Sequence, residues 1–112
     1  MARKLDQKEW REFFDRLSKG LDGKRAEIDV MSLDLGDQIQ TQWAPLLGIV
    51  YDPKSDMLEI ALDELDHMIV HPREIFLESG PTGLTSLEVE DAEGTKQLIT
   101  LKDPLMLPAP QS

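Results

Sequence analysis

The chain has 112 residues, 22 Asp/Glu against 12 Lys/Arg, a formal net charge of -10 and no cysteine. That length is one domain, able to bury a core without covalent staples, and the missing thiols exclude disulfides, cysteine nucleophiles, thiolate zinc sites and cysteine-ligated clusters. Residues 1–25 carry +3 and residues 26–112 carry -13; an acidic body without a basic, aromatic-studded stripe is a poor match for nucleic acid.

The opening segment MARKLDQKEWREFF is charged throughout and lacks the apolar stretch of a secretory leader. No later run approaches the roughly 20 apolar residues that cross a bilayer. A cytoplasmic protein with no membrane partner is the expectation. The first element predicted is a helix. Asp6 is its N-cap, Glu9 completes a capping-box pattern, and Leu5 with Trp10 forms a hydrophobic staple. Trp10, Phe13, Phe14, Leu17 and Leu21 recur at helical spacing as one apolar stripe, and the helix is expected to end near Asp22–Gly23.

The hydrophobic period then changes from 3.6 to 2. Ala26, Ile28 and Val30 predict a strand, Asp34–Asp37 a turn, and Ile39, Thr41 and Trp43 a second strand interrupted by Pro45. LLGIVYD resumes as strand, with Gly48 marking a bulge, and Asp52–Asp56 is a turn with proline second. Leu58, Ile60 and Leu62 mark the next strand, after which DELDH breaks the pattern. REIFLES, LTSLEVE and TKQLITLK are three more strands, the last two joined by a turn at Asp91–Gly94. Leu105, Met106 and Leu107 are candidates to cover a sheet edge, and Pro108–Ser112 are expected to fray.

The fold class expected is therefore α+β. An N-terminal helix packs on a strongly curved antiparallel sheet, or small open barrel, of about seven short strands, because the connections are too short for parallel crossovers. A single domain should span 1–107, with 108–112 a frayed C-terminal tail.

Both histidines lie in ELDHMIVHPREI, at His67 and His71. Four-residue spacing aligns side chains on a helix and on a strand alike. Pro72 and the β-branched neighbours point to a turn followed by an extended segment, with Asp66 and His67 hydrogen-bonding the bend. Nearby Asp63, Glu64, Asp66 and Glu74 make a two-histidine, one-carboxylate metal site chemically possible, but no HExxH occurs and the structural reading is preferred. The acidic loops lack calcium-loop spacing, and no phosphate-cradling glycine pattern or GxSxG elbow is present. Trp43 and Tyr51 read as core. No catalytic, cofactor-binding or metal-ligating residue is assigned, and no cofactor is called for.

The stretches KLDQKEWREFFDRLSK, DLGDQIQTQWAPLLGIVYDP, LEIALDELDHMIVHPREI and DAEGTKQLITLKDPL together resemble a family of small bacterial proteins known as a domain of unknown function. The resemblance covers nearly the whole chain and implies a bacterial cytoplasmic protein without supplying an activity. The expected function is a noncatalytic protein-interaction or regulatory module with a protein partner. The alternative is a small-molecule or metal-binding protein, an enzyme included, using the His67/His71 region. The sequence assigns no oligomeric state.

Overall fold

In the computed structural model, which describes residues 2–21, 24–32, 36–63, 65–81 and 83–105, the segment ahead of the helix is already sheet: strand β1 spans Ala2–Leu5. Asp6 then caps a 3-10 turn, Gln7–Glu9, its carboxylate accepting from the Lys8 amide at 3.0 Å. Helix α1 follows as Trp10–Ser18. Trp10, Phe13, Phe14 and Leu17 are buried, and the Trp10 indole N–H donates to the Leu5 carbonyl at 3.1 Å, tying the helix to the strand before it.

The helix is shorter than the apolar stripe predicts. Lys19 is its C-cap, and Gly20, a poor helix former, bonds back to Leu17. Leu21 is nonetheless 1% exposed; it reaches the core from beyond the helix end, which is why the helical phase runs on past the helix itself. The expected end at Asp22–Gly23 lies outside the described residues.

The remaining strands are β2 (Arg25–Ser32), β3 (Gly36–Asp52), β4 (Met57–Leu62), β5 (Asp66–Val70), β6 (Pro72–Gly80), β7 (Gly83–Asp91) and β8 (Lys96–Leu105). All pairings among them are antiparallel, in the order β1-β6-β7-β8-β2-β3-β4-β5. This is one helix on a large antiparallel sheet, α+β as expected, and the sheet remains open with β1 and β5 as its ends. It has eight strands instead of about seven. Ala2–Leu5 joins β6, and the two strands expected on either side of Pro45 are one. β3 pairs with β2 along its first part and with β4 along its second. Within the β2 pairing, between the Ala26–Ala44 and Ile28–Thr41 pairs, a bulge holds Trp43 at φ 48. The bulge also leaves Trp43 only half-buried, whereas Tyr51 is core. DELDH does break the strand pattern, as a tight turn from Leu62 to Leu65, but its last two residues, Asp66 and His67, already open β5.

Buried side chains of β2, β4, β6, β7 and β8 alternate with half-buried or exposed ones and meet the helix stripe in one core. The sheet curls strongly enough for His67 on β5 to touch Gln97 on β8, although three strands separate them in the order. The helix docks on β3, where the Ser18 hydroxyl both donates to the Ile49 carbonyl and accepts from the Ile49 amide, each at 2.9 Å. Beyond the end of β2 that edge of β3 would otherwise lack a partner. The expected turn at Asp34–Asp37 falls partly outside the described residues, as do Met106, Leu107 and the 108–112 tail.

Candidate functional site

The two histidines face different surroundings. His67 stands on the inward side of β5, its Nε2 in hydrogen-bond contact with the amide oxygen of buried Gln97. His71 is the single residue between β5 and β6, exposed, with φ 54. Its Nδ1 lies 3.1 Å from Asp56 Oδ2. Asp63 and Asp66 are exposed and Glu74 pairs with Lys4 at 3.5 Å; the Glu64 side chain lies outside the described residues. Among the described residues, no group of three or more His, Asp or Glu side chains is placed to hold a metal ion.

Asp56 is the centre of a corner absent from the motif reading. It too has a left-handed backbone, φ 53. Its Oδ1 accepts from the Tyr51 hydroxyl at 2.8 Å, its carbonyl accepts from the His71 amide at 2.8 Å, and the His71 carbonyl accepts from Ala92 at 2.9 Å. Two adjacent non-glycine residues at positive φ cost about 1–3 kcal/mol each, and these bonds offset that cost by pinning the β3–β4 turn, the β5–β6 joint and the β7–β8 turn together. Burial first, then the hydrogen bond and charge of Asp56, push the Tyr51 hydroxyl above the ordinary tyrosine value. Tyr51 therefore stays a neutral donor. With Tyr51 on one carboxylate oxygen and His71 on the other, Asp56 orients both.

The outer face of β3, β4 and β5 is a different kind of site. Opposed residues form the rows Asp52–Met57–Val70, Val50–Glu59–Met68 and Gly48–Ala61–Asp66. Leu47, Val50, Leu65, Met68 and Val70, the large apolar side chains left exposed among the described residues, are 41–60% exposed and all belong to β3, β5 or the turn leading into β5. Glu59 sits in the middle row, and Asp66 lies diagonally from it. Their hydrogen bond and mutual charge, with a smaller contribution from desolvation, raise the Glu59 carboxyl above the ordinary glutamate value. Such a face, apolar with unbalanced acids at its centre, has the composition of a candidate interaction site. A signal for it existed in the sequence: Met68-Ile69-Val70 is apolar on both sides of a strand that needs only one buried side.

A cleft of about 400 Å³ at the C-terminal end of α1 is lined by Ser18, Lys19, Leu21, Lys24, Arg25, Pro45, Leu46 and Leu47, and neither histidine enters it. No described helix is long and apolar enough to cross a membrane.

An uncharacterized protein of Aquifex aeolicus (strain VF5) is 42% identical over 110 residues, covering 96% of this chain and 99% of that one. No solved structure matches. A model of a family of unknown function, DUF5335, matches residues 1–110, and the chain belongs to that bacterial family.

Proposed function

We propose that the protein is a noncatalytic interaction or regulatory module that docks a protein partner on the outer face of β3, β4 and β5. The observation that carries this reading is the collection of exposed large apolar side chains on that one face and its margin, instead of scattered over the surface. The histidines, in this reading, are structural: His67 satisfies buried Gln97, and His71 fastens a corner. The lack of cysteine fits work in a reducing cytoplasm. The test is photo-crosslinking in the native bacterium, with a benzophenone side chain at position 50 or 68 and a control at position 93 in the β7–β8 turn. One discrete protein adduct from 50 and 68, absent from 93 and abolished by Val70→Asp in a chain that still folds, is the expected result. Equal labelling from all three positions, or none from the face, overturns the reading.

A further inference from the structure

We infer that the open edge of β5 receives an extended, apolar and basic segment of the partner protein as a ninth strand; this rests on the interaction-module reading above. The hydrogen-bond alternation of β5 locates the free groups. The Leu62–Leu65 turn bonds (2.9 and 3.4 Å) and the His71 amide to Asp56 carbonyl bond (2.8 Å) bracket the β4–β5 ladder. In an antiparallel ladder, bonded pairs alternate with unbonded ones. His67 and Ile69 therefore spend their peptide groups on Ile60 and Leu58, whereas those of Asp66, Met68 and Val70 point away from β4. β5 ends the strand order, and among the described residues no strand pairs with that side.

The two ends of the sheet are treated differently. β1 carries Arg3 and Lys4, both exposed, with Lys4 paired to Glu74; charges of this kind are how proteins blunt an edge against added strands. β5 has one charge, Asp66, and offers Met68 and Val70 beside it. An incoming strand lays every second side chain next to these three. Apolar residues match Val70 and Met68, and a cation matches Asp66 while also facing the unbalanced Glu59–Asp66 pair. For an antiparallel partner the preferred order along the chain is apolar, any residue, apolar, any residue, Lys or Arg. A second copy of this chain is the poorer occupant, since it brings Asp66 and no cation to the same edge.

The full chain, isotopically labelled, is titrated with the synthetic peptide Thr-Val-Thr-Val-Thr-Lys-Thr and with its counterpart carrying Glu in place of Lys. At saturation the first peptide should slow hydrogen exchange at Asp66, Met68 and Val70 by about tenfold, with His67 and Ile69 unchanged because β4 already holds them. Asp66→Asn should weaken binding about fivefold, the size of one exposed ion pair, and the Glu peptide should bind more weakly still. Three outcomes overturn strand addition: no binding of either peptide, equal binding of both, or binding without the alternating protection. Alternating protection that grows with the protein's own concentration, peptide absent, also overturns it by assigning the edge to a second copy. If the crosslinks from positions 50 and 68 persist through any of these, the docking face stands and only the added strand is lost; if they are absent too, both fall.

Discussion

Replacing Ser18 with Ala removes one oxygen and should destabilise the fold well beyond its size. The hydroxyl makes two hydrogen bonds of 2.9 Å to the same residue of β3, donating to the Ile49 carbonyl and accepting from its amide. It thereby completes a strand edge beyond the last β2–β3 pair, Arg25 with Pro45. Each such bond contributes about 0.5–1.5 kcal/mol net, and an orphaned, partly buried peptide group costs at least as much. Two bonds give about 2–2.5 kcal/mol. Alanine is the better helix former by about 0.5 kcal/mol, so the net expectation is a loss of about 1.5–2 kcal/mol. In urea, the midpoint should fall with the slope unchanged, because the surface exposed on unfolding is the same. In a thermal scan the loss corresponds to a drop in Tm of about 6–8 °C for a domain of this size. Ser18→Thr, which keeps the hydroxyl, should recover most of the difference. A Ser18→Ala protein within about 0.3 kcal/mol of the parent, below the net contribution of even one such bond, would refute the argument by showing that solvent satisfies Ile49 equally well.

Phe14 is 0% exposed, and Phe14→Ala should cost about 3–5 kcal/mol in urea unfolding; a cost under about 1 kcal/mol would remove the helix stripe from the core. The chain has one tyrosine, so near-ultraviolet titration reads Tyr51 directly: its midpoint should lie above the ordinary tyrosine value, and Asp56→Asn should bring it down. The folded-state Glu59 carboxyl is raised, so its contribution to stability is full below the ordinary glutamate range and is lost as pH climbs through the raised value. Glu59→Gln should therefore melt higher than the parent at pH 7, with the gap closing as pH approaches about 4. Finally, the -13 body outweighs the +3 segment, so Tm at constant pH should rise modestly from low salt to about 0.2 M NaCl; a steady fall would mean that specific ion pairs dominate.

Period and turn chemistry made the fold class legible. The stripe Trp10–Phe13–Phe14–Leu17 and the alternation in β2, β4, β7 and β8 each reflect one buried face. What the pattern missed has physical causes. Leu21 mimics helix phase from a turn. Pro45 reads as a strand end but is tolerated within β3, where the pairing passes from β2 to β4. DELDH, with three acids against one apolar residue, shows its turn but hides the start of β5 at Asp66. The candidate sites were less legible still. Asp56 and His71 meet across 15 residues, and Glu59 and Asp66 meet because strand register puts them on one diagonal. Such pairings are set by three-dimensional placement, to which spacing along the chain is blind. The spacing that did attract notice, His67 to His71, joins an inward side chain to a corner.

The strand order has a consequence for synthesis. β6, β7 and β8 are consecutive along the chain, yet they are clasped between β1 and β2, strands joined to each other by the helix segment. While a ribosome is still making the second half, β1 has no neighbour and β2 has β3 alone. The helix can form by then, but half the core it covers has not been translated. Completing the sheet awaits β8, whose Leu101 pairs with Ala26 from far earlier in the chain. Until β8 emerges the nascent sheet is unfinished, and its correct assembly is decided only after that strand has been made.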